Sequence, residues 1–209
     1  MKNKFFLLFF LSTASLLNAQ SRSDIFNPAV QVTWLGVDFT QAKFIGDRER
    51  LGSQSDVRHL LQALNELVIS EPDKYDVAKA IGRKKLENAI DVAVDHNAEL
   101  EVNEMHSTES KDRIRLKRSD IEEIVASYDF KGKSGLGLMF NIETFSKTDE
   151  EASMFVTFIN MDSKEVLFTE RMTSKPGVFG LRNFWGRSIY GVIEAMKKSQ
   201  FDMWRKKSS

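Results

Sequence analysis

The sequence predicts one α/β (α+β) domain, in which helices pack on a single mixed sheet that includes a C-terminal antiparallel three-strand meander. Three observations carry this prediction. Residues 30–38 form a run that is apolar on both faces, and residues 57–68 place apolar side chains at helical spacing. The C-terminal half contains three alternating runs followed by a long amphipathic stretch. This mixture and order of elements favours helices packed on one sheet.

The first strand is predicted at residues 30–38. Val32 and Trp34 share one face, and Leu35 is on the other, so both faces are apolar. A strand of this kind is usually central and covered on both sides. The polar segment that follows, residues 41–55, is predicted to be a loop.

The clearest helix is predicted after this loop. Ser55 or Asp56 is suited to begin it, and Pro72 ends it. Its opposite side is polar, with Arg58 and Glu66. The apolar positions at helical spacing are Val57, Leu60, Leu61, Leu64, Leu67 and Val68.

The middle of the chain is predicted to be mostly helical. Residues 74–82 form a short helix, and residues 84–96 form a second one with apolar side chains every four positions. Alternation over Ile90–Val94 leaves a strand as the alternative there. The charged segment 109–118 is expected to be exposed, and Ser119 or Asp120 begins another short helix.

The C-terminal half predicts the meander. Residues 135–147, 153–161 and 165–171 alternate in polarity, and Asp162 lies in a turn between the second and third runs. A last helix is expected from Leu181 to Lys198, with possible continuation to the tail. Its apolar stripe is Trp185, Ile189, Val192, Ile193 and Met196.

The N-terminus predicts a secretory signal peptide over residues 1–19. Lys2 and Lys4 precede the apolar run Phe5–Leu11, and small and polar residues lead to Ala19. This order is typical of a cleaved export signal, and the run is too short for a membrane span. The protein is therefore expected to be exported, periplasmic or secreted, with residues 20–209 as its single domain.

Composition limits the classes of function. The chain has 30 basic and 30 acidic residues, and removal of the signal peptide leaves a slight acidic excess. This balance argues against a nucleic-acid binder. No further apolar run is long enough for a transmembrane span in the mature chain. The sequence has no cysteine, so it forms no disulfide and offers no cysteine for a lipid anchor.

The C-terminal segment carries a resemblance. Phe158–Leu167, in which Asp162 is followed by Val166-Leu167, and the stretch Gly177–Met196 with Asn183-Phe-Trp185 resemble a group of secreted proteins of Gram-negative bacteria. More distantly, the pattern is similar to the domain shared by the TolB N-terminus, the curli-secretion lipoprotein and penicillin-binding-protein activators. The resemblance implies protein binding or assembly, with another envelope protein as partner, and does not imply catalysis.

Neither of two candidate ligand motifs, one for a metal and one for phosphate, has the required spacing. His96, Glu104 and His106 are residue types that bind zinc, but their spacing matches no metal motif, so no metal or cofactor is predicted. Residues 131–137 are rich in glycine, but they lack the spacing of a phosphate-binding loop, and a strand follows them instead of a helix. A turn that opens a hairpin is the preferred interpretation.

Two carboxylates and one basic segment are also considered. Asp38 and Glu143 lie in apolar strands, where they would be an acid/base pair if they met. The preferred interpretation is that Asp38 ends its strand and that Glu143 faces solvent or pairs with a basic side chain. The basic segment 111–118 is interpreted as a solvated loop, with docking of an acidic partner as the alternative. No catalytic residue is predicted.

The residues predicted to bind a partner are Phe179, Arg182 and Phe184, at the start of the last helix. Arginine and aromatic side chains are enriched at interfaces. Arg182 and Phe184 lie beside the stripe defined by Trp185, so both are expected to be partly exposed. The function predicted is that of an exported, non-catalytic binding or assembly module. The alternative is an exported hydrolase whose carboxylates come together only in the fold.

Overall fold

The computed structural model describes residues 20–50, 52–177 and 180–208, so the predicted signal peptide lies outside the described residues. These residues form a mixed sheet of seven strands with helices on both of its faces. The fold class predicted from the sequence is confirmed. The strands are β1 (Val32–Asp38), β2 (Lys43–Ile45), β3 (Glu87–Asn88), β4 (His106–Ser107), β5 (Leu136–Ser146), β6 (Glu151–Asn160) and β7 (Glu165–Ser174).

Strand β5 organises the sheet. On one side it pairs with β6 in antiparallel register, and β6 pairs with β7 in the same way, which confirms the predicted meander. On its other side β5 pairs in parallel with two strands in succession. Val32 of β1 lies opposite Leu136, and Phe44 of β2 lies opposite Phe145. The short strands β3 and β4 extend the sheet beyond β1 and β2.

The predicted loop over residues 41–55 is wrong where β2 forms. The Ala42 N–H donates to the Phe39 carbonyl at 2.8 Å, and this tight turn returns the chain to the same edge of β5. Three residues are too few for an alternating pattern to be visible in a sequence. The extended conformation of β2 therefore depends on its pairing with β5, which lies about a hundred residues later in the sequence.

The sequence predicted the locations of the helices better than their first and last residues. Helix α1 begins two residues before the predicted cap, because Ser53 accepts the Asp56 N–H at 3.2 Å and the Asp56 carboxylate accepts the Ser53 N–H at 2.8 Å. The helices are α1 (Gln54–Ser70), α2 (Val77–Ala80), α3 (Asp91–Ala98), α4 (Arg118–Ser127), α5 (Leu181–Ala195) and α6 (Phe201–Ser208).

The prediction for residues 84–96 is only partly correct. The segment is helical from Asp91 onward, but Glu87 and Asn88 are strand β3 beside Thr33 and Trp34 of β1. The alternative strand over residues 90–94 is wrong. Apolar residues before residue 90 therefore pack from an extended segment and not from a helix.

The last helix continues to the C-terminal tail, as the sequence suggested, with one π-helical segment along its length. A π-helical segment, Met196–Gln200, joins α5 to α6. Phe201 and Trp204 remain buried beyond this segment. Within the described ranges, no helix combines the length and the apolar character that a membrane crossing requires.

The glycine-rich segment 131–137 leads into β5, as predicted for a turn that opens a hairpin. Gly132 and Gly135 have φ angles of 72° and 86°. Glycine adopts this left-handed backbone without the steric cost that a Cβ atom adds.

Two faces of the sheet bury separate cores. The face under α1 and α5 holds a large aromatic and aliphatic core that includes Trp34, Phe140 and Phe158. We call it the apolar face. The face under α4 holds a smaller core that includes Leu35 and Met139. We call it the polar face, because buried polar side chains accompany these residues along β1, β5 and β6.

Candidate functional site

Two of the three predicted partner-binding residues, Arg182 and Phe184, lie in the first turn of α5, and the expected partial exposure of Arg182 is confirmed. Phe179 lies outside the described residues. Phe184 is only 6% exposed, so the expectation that it is partly exposed is wrong. Arg182 is half-buried and its guanidinium donates to the Glu71 carboxylate at 2.9 Å.

The width of the buried stripe on α5 explains the position of Phe184. Adjacent helical residues are about 100° apart, so a stripe defined by Trp185 alone would leave Phe184 at its edge. A helix that packs on a sheet commonly buries a stripe of 100° or more. In α5 both Phe184 and Trp185 face inward, together with Ser188 and Ile189.

A concave aromatic pocket lies where the first turn of α5 crosses the ends of β2 and β5. Its volume is about 140 Å³. Trp185 stacks on Phe145 with ring centroids 4.3 Å apart, and Phe184 meets Trp185 edge-on at 4.7 Å. We call this site the aromatic pocket. Its lining residues are Phe44, Ile45, Gly46, Asp47, Phe145, Lys147, Gly180, Leu181, Phe184 and Trp185.

Strand pairing positions the wall of the pocket. Phe44 in β2 lies opposite Phe145 in β5, and their rings are 5.5 Å apart. The Lys147 N–H then donates to the Ile45 carbonyl at 2.8 Å, which holds the end of β5 beside β2. Two short segments that are distant in sequence thus bring their aromatic rings to the same wall.

The pocket lining includes two charged side chains, Asp47 and Lys147. The Lys147 ammonium lies 3.6 Å from the centre of the Phe184 ring, a distance that gives a cation–π interaction. The indole N–H of Trp185 is buried and has no hydrogen-bond partner among the residues that the structure describes. This lining can hold an apolar group beside the Lys147 ammonium.

The buried carboxylates Asp38 and Glu143 do not form an acid/base pair. Asp38 ends β1, as the preferred interpretation expected, and accepts the side-chain amide of Asn141 at 2.9 Å and the Thr40 N–H at 2.9 Å. Glu143 has a different set of donors. The two carboxylates share no donor, and each is fixed in its own hydrogen-bond network.

Glu143 joins the 109–118 segment to the sheet. Its carboxylate accepts the N–H groups of Arg115 and Leu116 at 2.6 and 2.7 Å, the Ser153 hydroxyl at 2.6 Å, and Arg171 Nε at 2.8 Å. The predicted pairing with a basic residue is confirmed. Four of the eight residues of the basic segment 111–118 are exposed and Leu116 is buried, so the interpretation as a solvated loop is wrong at that end.

Tyr128 lies next to the Asp38 network. Burial raises the pKa of its hydroxyl well above the ordinary value of 10.0, and the negative charge of Asp38 adds to this effect. The hydroxyl oxygen meets the strict geometry of a hydrogen bond with none of the described residues. A deprotonated Tyr128 would place a second negative charge beside Asp38 in a buried position.

The histidines have separate surroundings. The ring nitrogen Nε2 of His106 is 2.8 Å from the Gly46 carbonyl, whereas the His96 ring lies 4.1 Å from the Tyr128 ring. Over the described ranges, no group of three potential metal ligands occurs.

A serine–histidine pair is the arrangement closest to a hydrolase site. The Ser127 hydroxyl oxygen is 3.4 Å from His96 Nε2, in a polar cleft that also contains Asp120 and Glu123. However, Ser127 donates its proton to the Ile124 carbonyl at 2.7 Å. A serine nucleophile donates instead to its base, so this pair is not arranged for nucleophilic catalysis.

Sequence reasoning found half of the aromatic pocket. It singled out Phe184 and Trp185, but not Phe44 and Phe145, because Phe44 lay in a predicted loop. The available signal was the short apolar pair Phe44-Ile45 inside an otherwise polar segment.

Comparisons with known proteins give a distant similarity in structure. No family model matches the chain, and no curated protein matches it. A similar solved structure is the C-terminal domain of LpoB from Salmonella enterica, which is 9% identical in sequence. The match has a TM-score of 0.27 and covers 71% of this chain and 84% of that chain. At this distance the match carries no argument about fold or function, and the resemblance drawn from the sequence gains only this weak structural counterpart.

Proposed function

We propose that this protein is an exported, non-catalytic binding module, and that its aromatic pocket holds one aromatic or large aliphatic side chain of a partner protein in the cell envelope. The observation that carries the proposal is the pocket itself. It is concave, and four of its ten lining residues are aromatic: Phe44, Phe145, Phe184 and Trp185. Ligand sites are typically apolar concavities with a few placed polar groups.

The volume of the pocket supports a single ring as the occupant. An engineered apolar cavity of about 150 Å³ stays free of water and binds benzene. The aromatic pocket, with about 140 Å³, is close to that size. A phenyl or isobutyl group in the pocket would gain the free energy of burying its own apolar surface, about 25 cal/mol per Å².

The Asp38 and Glu143 geometry supports binding over hydrolysis. Each carboxylate is buried and accepts hydrogen bonds from donors within the fold. The proton of Ser127 is given to a main-chain carbonyl. The pocket itself contributes no nucleophile paired with a base among its lining residues.

A ligand titration tests the pocket. N-acetylphenylalaninamide and N-acetylalaninamide carry the same uncharged backbone and differ by one ring. We expect the phenylalanine compound to bind with a dissociation constant of roughly 1 mM, as monitored by NMR shifts of Trp185, and the alanine compound to bind at least tenfold more weakly. Equal affinity for the two compounds would contradict the proposal.

A blocking variant provides the matched control. Leu181 lines the pocket and is partly exposed, so Leu181→Trp is expected to fill the opening and abolish binding of the phenylalanine compound. Ile114 is an apolar residue that is 50% exposed and does not line the pocket, so Ile114→Trp should leave binding unchanged. If both variants bind like the wild-type protein, the pocket is not the binding site.

The partner and the location are tested in cells. A photo-reactive residue at Leu181 should cross-link one specific envelope protein, and the same residue at Ile114 should not.

Mass spectrometry of the exported protein should show cleavage near Ala19. An exported form that retains Met1 would contradict the location.

A further inference from the structure

The side chain of Lys147 crosses the aromatic pocket from one wall to the other. Its Cβ atom lies 3.1 Å from the position that a Cβ atom on Gly46 would occupy, so the stem of the lysine passes directly beside the end of β2. Its ammonium lies 3.6 Å from the centre of the Phe184 ring, on the α5 wall. Both Gly46 and Phe184 line the pocket. A group that enters between these walls therefore meets the Lys147 side chain.

The positive charge of Lys147 is half-buried and has no ion-pair partner among the residues that the structure describes. The Phe184 ring is the group that the ammonium contacts. Lys74 also lies over a ring, but its ammonium is paired with the Glu71 carboxylate at 3.3 Å. Asp47 lines the pocket as well, but its interaction within the chain is with another group. The ammonium of Lys147 is thus free to act on a ligand.

A cation in this position distinguishes between the groups that cover it. The face of an aromatic ring carries partial negative charge and attracts an ammonium that lies within about 6 Å of the ring centre. An aliphatic group removes water from the ammonium and provides no compensating attraction. Lys147 therefore favours a ring and disfavours an aliphatic side chain of similar size.

The other walls of the pocket are compatible with a ring. Phe44, Phe145 and Trp185 line it, and aromatic pairs gain energy beyond the burial of their area when they meet edge-on or with an offset. The volume of about 140 Å³ holds one six-membered ring. The apolar walls and the cation therefore favour the same occupant.

We propose that the aromatic pocket selects a phenylalanine or tyrosine side chain of its partner over an aliphatic one, and that Lys147 determines this choice by placing its ammonium against the face of the bound ring. The inference rests on the proposed function, which admits both kinds of side chain. It narrows the occupant to an aromatic one and names the residue that makes the distinction.

Two compounds that differ only in the saturation of the ring test the inference. N-acetylphenylalaninamide has an aromatic ring, and N-acetylcyclohexylalaninamide has a saturated ring with the same number of carbon atoms. Burial of apolar surface alone would make the saturated compound bind at least as tightly. We expect the aromatic compound to bind about three- to tenfold more tightly in an NMR titration, because only its ring attracts the ammonium.

The resonances of Lys147 give a direct measurement on the unmodified protein. Protons above the face of an aromatic ring shift upfield. The ε-methylene protons of Lys147 should therefore shift further upfield with the aromatic compound, and they should move much less with the saturated compound.

Variants assign the preference to the charge of Lys147. Lys147→Met keeps an unbranched side chain without the charge, so the two compounds should bind with nearly equal affinity. Lys147→Arg keeps a cation that stacks on aromatic faces, so it should retain the preference. Lys74 lies 4.8 Å from the centre of the Tyr75 ring and does not line the pocket, so Lys74→Met is the matched control and should retain the preference too.

The outcomes separate this inference from the proposed function. If the saturated compound binds as tightly as the aromatic one, the inference fails while the proposed function stands. If neither compound binds, both fail. If the preference persists in Lys147→Met, another group selects the ring and the inference fails. Unchanged ε-methylene resonances in the presence of the bound aromatic compound would also overturn it, whatever the variants show.

Discussion

The two faces of the sheet are stabilised in different ways. The apolar face buries rings and aliphatic side chains against α1 and α5. The polar face has a smaller core and carries Asp38, Asn141 and Glu143, each less than 2% exposed. Burial of apolar surface stabilises the first face, whereas the second depends on a specific set of hydrogen bonds.

The two faces differ in how well they tolerate a concavity or the loss of a side chain. Apolar packing is non-directional, so a vacancy such as the aromatic pocket leaves the remaining contacts of the apolar face intact. A hydrogen-bond network is directional, and removal of one member leaves the others buried without partners. The proposed binding site accordingly lies on the apolar face.

The largest effect is expected in the centre of the apolar face. Leu64 is fully buried in α1, so Leu64→Ala should lower the free energy of unfolding by roughly 2–5 kcal/mol. Ile69 lies on the same helix and is 43% exposed, and Ile69→Ala should cost less than about 1 kcal/mol. Chemical denaturation measures both. A small effect at Leu64 would mean that this face is not the main source of stability.

On the polar face, Glu143→Ala is expected to cost about 2–3 kcal/mol. The change leaves the N–H groups of Arg115 and Leu116 and the side chain of Arg171 without their shared acceptor. The cost stays below that of a fully buried ion pair, because the Arg171 side chain is 30% exposed and can reach water.

Glu165→Ala is the control for Glu143→Ala. Glu165 is exposed at the start of β7, and its removal should change the free energy of unfolding by less than about 0.5 kcal/mol. If the two variants were equally stable, the Glu143 network would not be a source of stability.

A pH effect is expected at Tyr128 on the polar face. Its pKa is raised by burial, so its contribution to stability is complete below the unfolded value of about 10 and is lost as the pH rises from there towards the folded pKa. In this window stability should fall by up to about 1.4 kcal/mol per pH unit. Tyr128→Phe should remove this component of the fall while changing stability near neutral pH by less than about 1 kcal/mol.

Thermal melts at pH 8 and pH 11 distinguish the two proteins. The wild-type protein should lose more stability between these pH values than Tyr128→Phe. Equal losses would show that Tyr128 is not the group that titrates in this range.

The smallest effect is expected at Arg182, near the aromatic pocket. Its hydrogen bond to Glu71 holds the pKa of that carboxyl below its ordinary value, but both side chains are more than a third exposed. Arg182→Ala should therefore cost less than about 1 kcal/mol at neutral pH, and the difference from wild type should shrink as the pH falls from the ordinary value of 4.5 through the lowered pKa of Glu71. A loss of several kcal/mol would assign Arg182 to the core.

The comparison also shows how far the sequence could predict this fold. Periodicity located α1, the meander and α5, since each is long enough to show its own pattern. It missed β2, because Phe44 is extended only through its pairing with Phe145 about a hundred residues later. Phe184 was predicted to belong to the site because of its residue type. Its burial could not be predicted, because the sheet against which α5 packs determines how wide a stripe of the helix is buried.

The position of β5 has a consequence for how the chain folds. Strands β1 and β2 precede their common partner by about a hundred residues, whereas β5, β6 and β7 are joined by short turns. Pairings between strands that are close in sequence form quickly. Pairings between distant strands form more slowly, because closing the long loop between them costs more entropy before their contacts contribute any stabilisation. The meander is therefore the expected nucleus, on which the N-terminal strands dock later. During synthesis, β1 and β2 have only the two-residue strands β3 and β4 as partners within the described sheet until β5 has emerged.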